Sequence, residues 1–184
     1  MNPLEYFVFM IFRVLRRLHL ARLIRIGSKR NFADYFKDFD KVEAVRGIFG
    51  EKTDEVLRNL KVEFMGLFGY MGVDNSDGHL LVNVRYLKEG DKTDVYLDVI
   101  HELCHVKQYM DGKELFDGRY EYVDRPTEVE AYRYTVKEAR RLGLGDERIL
   151  QYLKTEWMSD EDLKRLAGHV GIELKDGATP AASQ

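Results

Sequence analysis

The sequence predicts a single small α+β domain. Apolar residues recur at spacings of three and four in several segments of the chain, which is the pattern of helices with one buried face. Two strand-like runs, residues 61–73 and 79–87, interrupt this pattern and flank the sequence DNSDG, whose residues favour a tight reversal. With 184 residues and a hydrophobic content of 45%, the chain can bury a core of its own.

The chain begins with a basic segment, residues 1–30, that we separate from the domain. It carries seven Lys or Arg against one acid, Glu5, whereas the rest of the chain carries 22 against 31. Its apolar positions follow helical spacing at Leu4, Phe7, Ile11, Leu15 and Leu18. Its longest uncharged run is too short to span a membrane. We therefore expect an amphipathic helix that packs on the domain, on a second copy or on a membrane surface.

The first part of the domain, which we place at residues 31–170, supplies a helical layer and a hairpin. Residues 32–49 form a backing helix with an apolar face, and residues 55–60 add a short helix. In the second strand-like run, Leu80 and Val82 alternate with mixed positions, so that one face of the strand is apolar. We expect a short, mainly antiparallel sheet beside the backing helix.

The second part of the domain is helical. A long helix that Asp91 or Asp94 can cap contains residues 101–108, HELCHVKQ, and ends near Gly112. Another helix starts with Pro126 in its first turn and ends near residue 143. Two short helices follow, at residues 146–157 and 160–168, and residues 171–184 form a mobile tail.

The stretch HELCH places two histidines on one side of the long helix. Residues four apart on an α-helix differ by only about 40° in direction, so His101 and His105 project together and can bind one metal ion. Glu102 lies about 60° from His105, where it can act on a water molecule without taking a ligand position. This spacing predicts a zinc site with a carboxylate that handles protons.

A catalytic zinc ion needs a third protein ligand, and TEVEAY at residues 127–132 offers two candidates. Glu128 and Glu130 lie on the next predicted helix, which a loop can bring back beside the first. Two residues on a helix differ by about 200° in direction, so both carboxylates cannot face the same ion. The spacing alone leaves either glutamate as the ligand.

These residues resemble those of the gluzincin metallopeptidases, which pair HExxH with a glutamate on a downstream helix. In that family an alanine commonly follows the ligand glutamate by three residues. Ala131 stands at that distance from Glu128, whereas Arg133 follows Glu130. The order of backing helix, short sheet, active-site helix and glutamate helix is most similar to the minimal gluzincins, or minigluzincins. The resemblance covers about residues 32–143 and favours Glu128.

The resemblance implies a zincin-like domain that holds one zinc ion through His101, His105 and Glu128. It implies that Glu102 is the general base of a metallopeptidase, in which a zinc-bound water attacks a peptide bond. It also implies that residues 79–87 form the upper edge strand, along which an extended peptide or protein substrate pairs through its backbone.

Several roles at the site stay open in the sequence. Many gluzincins place an aspartate four residues after the ligand glutamate to orient a histidine, but this chain has Tyr132 there. Cys104 neighbours both histidines, and its apolar surroundings favour a core thiol over a metal ligand. Six residues could donate a hydrogen bond to the oxyanion: Tyr120, Tyr122, Tyr132, Tyr134, Arg133 and His169.

Two other interpretations compete with a working peptidase. In one, residues 1–30 or the C-terminal segment cover the cleft, and the protein is a latent or regulatory zincin that acts by binding. In the other, it is a membrane-surface protein with a structural metal. The single cysteine and the missing secretory signal predict a cytoplasmic protein, peripheral to the membrane if the basic helix binds lipid. We expect no nucleic-acid partner.

Overall fold

The computed structural model describes residues 27–66 and 69–173 of the chain as a mixed α+β fold. The predicted amphipathic helix of residues 1–30 and the predicted tail of residues 171–184 lie outside this part, apart from a few residues at the junctions. No helix among the described residues is both long and apolar enough to cross a membrane.

Helices dominate the described chain, and four short strands form one sheet. The strands are β1 (Arg30–Asn31), β2 (Lys61–Met65), β3 (Met71–Val73) and β4 (Leu80–Asn83). The helices are α1 (Phe32–Tyr35), α2 (Glu43–Phe49), α3 (Thr53–Asn59), α4 (Val84–Glu89), α5 (Lys92–Met110), α6 (Pro126–Arg141), α7 (Asp146–Leu153) and α8 (Asp160–His169). Single turns of 3-10 helix lie at Phe39–Lys41, Gly50–Lys52 and Tyr122–Asp124.

The sheet has the order β1-β2-β4-β3, with β2 and β4 parallel and the two outer pairs antiparallel. The predicted reversal at DNSDG joins β3 to β4, and Gly78 donates its backbone N–H to the carbonyl oxygen of Asp74 at 2.7 Å. Gly78 adopts φ +75°, and a Cβ there would lie 2.4 Å from the ring of Tyr109. Glycine is therefore required at this turn.

The prediction of residues 79–87 as an upper edge strand is wrong. Strand β4 ends at Asn83, whose side-chain oxygen accepts hydrogen bonds from the backbone N–H groups of Arg85 and Tyr86 and so caps α4. This cap overrides the strand propensity of the residues that follow it. In addition, β4 lies inside the sheet, and β3 is the edge strand on this side.

The predicted backing helix over residues 32–49 is also broken, into α1, a 3-10 turn and α2. Asp38 adopts a left-handed conformation, φ 64°, which ends the helical path. The break lets the aromatic rings of Phe32, Phe36 and Phe39 pack against one another, with centroids 4.8 to 6.1 Å apart. The three rings are buried as the apolar spacing predicted, although they do not lie on one helix.

The bounds of the two long helices, α5 and α6, agree closely with those predicted from the sequence. Asp91 caps α5 by accepting hydrogen bonds from Thr93 and Asp94, and Pro126 occupies the first turn of α6. A capping box of Ser159 and Asp162 begins α8, as expected. Helix α7 ends at Leu153, four residues earlier than predicted.

The α5 and α6 pair lies between two apolar clusters, one beside the sheet and one beside α7 and α8. Ile100, Leu103 and Cys104 of α5 belong to the cluster beside the sheet, whereas Leu97 belongs to the other. Burial raises the pKa of the Cys104 thiol far above its usual value, in keeping with the interpretation of Cys104 as a core residue. Helix α5 is therefore fixed from both sides, which holds the HELCH segment rigidly.

A matched pair of leucines tests this core. Leu103 is fully buried, whereas Leu142 is 43% exposed. We expect Leu103→Ala to lower the free energy of unfolding by about 2–5 kcal/mol through the cavity that it leaves. Leu142→Ala should change that free energy by less than about 0.5 kcal/mol. Urea unfolding of both variants with a metal chelator present measures the difference, and equal effects would contradict the described packing.

Candidate metal centre

Helices α5 and α6 bring His101, His105 and Glu128 together inside the protein. The three side chains are 6%, 7% and 3% exposed, respectively. The Nε2 atoms of the two histidines lie 3.0 Å apart. Oε2 of Glu128 lies 3.2 Å from Nε2 of His101 and 3.3 Å from Nε2 of His105. One atom from each residue therefore points at a common centre.

The triangle of donor atoms has the chemistry and size that zinc requires. Two imidazole nitrogens and one carboxylate oxygen form a donor set typical of catalytic zinc. A tetrahedral zinc ion with bonds of about 2.0–2.1 Å keeps its ligand atoms about 3.3–3.4 Å apart. The separations of 3.0 to 3.3 Å are within a few tenths of an ångström of that spacing.

The pKa values of the three residues depend on burial and on their contacts with one another. Burial opposes ionisation of Glu128, but the two histidines outweigh it and hold the pKa of Glu128 well below its usual value. Burial lowers the pKa of His101, whereas at His105 Glu128 outweighs burial and raises the pKa to about 9. A metal ion at Nε2 of His105 would therefore compete with the proton that Glu128 favours there.

Gln108 fixes the orientation of His105. The side-chain oxygen of Gln108 lies 2.7 Å from Nδ1 of His105, so that Nδ1 donates a hydrogen bond and Nε2 faces the centre. The side-chain nitrogen of Gln108 donates to the carbonyl oxygen of Thr127 and to Oε2 of Glu130, both at 2.9 Å. Gln108 thus links the two helices directly beside the donor atoms.

Glu130 lies away from the centre, as the 200° between it and Glu128 requires. Its carboxylate accepts hydrogen bonds from Gln108 and from Nζ of Lys113, the latter at 2.8 Å. Of the two glutamates that the sequence left as candidates, the structure brings only Glu128 to the histidines. Glu130 instead acts on His105 indirectly, by positioning Gln108.

Arg125 neutralises the other side of Glu128. Its guanidinium donates to Oε1 of Glu128 at 3.4 Å and lies over the ring of Tyr122, 5.8 Å from the centroid. Glu128 can therefore direct Oε2 to the histidines while Oε1 stays paired, which favours a carboxylate that binds through one oxygen.

The position where gluzincins often have an aspartate is filled by an aromatic ring. Tyr132 packs edge-on against the imidazole of His101, with centroids 4.5 Å apart. Nδ1 of His101 is buried and has no hydrogen-bond partner among the described residues. Contact with a ring, in place of a hydrogen bond, therefore orients His101 in this chain.

A cleft of about 460 Å³ opens onto the donor atoms. Glu102 lines this cleft without belonging to the donor group. Strand β3 forms one wall, and residues 151–157 form part of another. The cleft thus has the three donor atoms, a carboxylate and a sheet edge around one space.

Two of the six residues that could donate a hydrogen bond to an oxyanion line the cleft. Tyr122 and Tyr132 line the cleft, and their hydroxyl oxygens are 2.9 Å apart. The hydroxyl of Tyr134 instead donates to the carbonyl oxygen of Gly47 at 3.3 Å. Tyr120, Arg133 and His169 do not line the cleft either.

A second group of possible ligands, Asp74, Asp77 and His79, has different chemistry. Nε2 of His79 lies 3.2 Å from Oε2 of Glu63, and Nδ1 faces Asp77. Both ring nitrogens of His79 therefore face carboxylates of the chain itself. We interpret His79 as a structural ion-pair residue.

No family model, curated protein or solved structure matches this chain. The chemistry of the site must therefore be read from its own residues. Sequence reasoning missed Gln108, Arg125 and Asp98, all of which surround the centre or line its cleft. The sequence did carry a signal for them, because residues three or four apart on a helix are neighbours. Gln108 follows His105 by three residues, Arg125 precedes Glu128 by three, and Asp98 precedes Glu102 by four.

The role of Gln108 can be tested by zinc titration. We expect Gln108→Leu to weaken zinc binding about 10- to 100-fold, because Nδ1 of His105 loses the acceptor that orients the ring. Gln151→Leu is the control, since Gln151 is exposed on α7 and, although it lines the cleft, does not belong to the donor group. Competition with a chromophoric chelator measures both affinities, and an unchanged affinity in Gln108→Leu would rule out this role.

Proposed function

We propose that this chain is a zinc-dependent metallopeptidase in which His101, His105 and Glu128 hold one zinc ion. The observation that carries the proposal is the convergence of three buried donor atoms in a cleft that Glu102 also lines. When bound, zinc would lower the pKa of a water molecule and polarise the carbonyl oxygen of a peptide bond.

Glu102 is the residue to move the proton in this reaction. It directly follows His101 in the chain and lines the cleft, yet it does not belong to the donor triangle. Its carboxylate can take a proton from the attacking water and return it to the departing amine. A general acid or base in this position contributes about 10²- to 10⁴-fold to the rate.

The pair Tyr122 and Tyr132 is suited to stabilise the oxyanion. Burial raises the pKa of both hydroxyls well above the usual value, so each keeps its proton. The two hydroxyls share one hydrogen bond, in which only one proton is used. The other proton remains available to a carbonyl oxygen in the cleft, where negative charge develops during attack.

Strand β3 supports a peptide as the substrate. It is the last strand of the described sheet on this side, and Met71, Gly72 and Val73 line the cleft. An extended peptide can pair with such an edge through its backbone, independently of its side chains. In this proposal β3 replaces residues 79–87 as the strand that holds substrate.

The proposal predicts that metal binding and turnover can be separated. Zinc-loaded wild-type protein should cleave peptides from a mixed library. Glu102→Gln should retain one zinc ion and lose at least about 100-fold in kcat, because the metal ligands remain but the proton acceptor is gone. Glu128→Ala should lose zinc and activity together. Atomic absorption for zinc and mass spectrometry of the library measure both properties.

The matched control is Glu130→Gln, which keeps a hydrogen-bonding group beside Gln108 and should keep zinc. Loss of zinc from this variant but not from Glu128→Ala would mean that the ligand is assigned wrongly. A wild-type protein that binds zinc and cleaves nothing, with or without residues 1–26, would refute the peptidase and favour a regulatory protein.

A further inference from the structure

Asp98 is a cleft-lining carboxylate that the proposed peptidase reaction does not use. It lies on α5 one helical turn before Glu102 and lines the same cleft. Its oxygens accept hydrogen bonds from the hydroxyls of Tyr86 at 2.5 Å and Tyr152 at 2.9 Å. Burial raises the pKa of its carboxyl to about 6, and the hydrogen bonds from the two hydroxyls oppose this rise.

Asp98 has no cationic partner among residues 27–66 and 69–173. Its neighbour Asp94 also lines the cleft but is paired with Arg148 at 2.5 Å. Lys154 is the single lysine or arginine among the described residues that line the cleft, and it donates to Asp160 at 2.9 Å. Asp98 is half-buried, and a carboxylate that is partly removed from water is stabilised by a countercharge, whereas the two hydroxyls supply hydrogen bonds but no charge.

Aromatic rings form a continuous arc around the cleft, beginning at Asp98. The aromatic arc consists of Tyr86, Tyr70, Trp157, Tyr122 and Tyr132. Successive ring centroids are 4.7, 6.4, 6.4 and 6.4 Å apart. The arc starts at Tyr86, whose hydroxyl donates to Asp98, and ends at Tyr132, whose ring packs on His101. Aromatic faces attract cations as well as apolar groups.

We propose that Asp98 and the aromatic arc form a subsite for a basic side chain, lysine or arginine, of the substrate. The cationic end of that side chain pairs with Asp98, and its methylene groups pack on the rings of Tyr70 and Trp157. The Cβ atoms of residues one helical turn apart, such as Asp98 and Glu102, are about 5–6 Å apart. The basic residue would therefore lie next to the peptide bond that Glu102 acts on. This placement rests on the proposed function, whereas the preference for positive charge does not.

The charge of the subsite can be tested by binding alone. Trp157 is the only tryptophan of the chain and belongs to the aromatic arc, so its fluorescence reports occupation of the cleft. The probes are short peptides with blocked ends that differ at one position: lysine, arginine, Nε-acetyllysine, norleucine or glutamate. Each position along the peptide is varied in turn, and binding is measured to the zinc-loaded Glu102→Gln protein so that no peptide is consumed.

At one position, lysine and arginine peptides should bind about tenfold or more tightly than acetyllysine and norleucine peptides. Glutamate should bind most weakly. Asp98→Asn should bring the ratio of lysine to norleucine affinity close to one, whereas the matched control Asp94→Asn should keep it. A ratio near one in the Asp98-containing protein at every position would overturn the subsite, and so would a ratio that survives in folded Asp98→Asn.

The acetyllysine comparison needs no substitution at Asp98, so the proposal remains testable even if Asp98→Asn does not fold. The same peptides given to wild-type protein separate this inference from the peptidase. Cleavage without any preference for charge would overturn the subsite and leave the peptidase intact. Charge-selective binding without any cleavage would refute the peptidase and leave the subsite.

Discussion

Glu128 places a carboxylate inside the protein, where it is stable only beside cations. Removing such a group from water costs several kcal/mol, by a rough measure, unless charges and hydrogen bonds compensate. His101 and His105 on α5, together with Arg125, supply that compensation. The described contacts between α5 and α6, including the bridge from Gln108 to Thr127, serve to keep these groups at hydrogen-bonding distance. The two helices are thus held in one register by the site itself.

This arrangement connects folding to the proposed chemistry. Glu128 raises the pKa of His105, so that the same carboxylate that stabilises the protonated imidazole would take part in binding zinc in its place. The two apolar clusters on either side of α5 limit movement of the helix, so the donor triangle is preorganised. Replacing the residues that line the cleft on strand β3 and in 151–157 can then change the substrate preference without moving the three donor atoms.

The sequence predicted the parts of this protein that depend on helical geometry. The separation of 40° between His101 and His105 follows from their spacing, as does the exclusion of Glu128 and Glu130 from one centre. The spacing could not say which glutamate turns inward, because that depends on how α6 rotates against α5. The end of β4 was predicted wrongly, because Asn83 can serve as a strand residue or as a helix cap and only the surrounding contacts decide. The aromatic arc could not be predicted, because Tyr70, Trp157 and Tyr122 are distant in the sequence and meet only in the folded chain.

We propose that one zinc ion binds between two histidines of α5 and one glutamate of α6. Anomalous diffraction from crystals grown with zinc, recorded above and below the zinc absorption edge, would locate the ion. We expect one strong peak about 2.0–2.2 Å from Nε2 of His101, Nε2 of His105 and Oε2 of Glu128. A strong peak at Asp74, Asp77 and His79 instead, or no peak between α5 and α6, would contradict it.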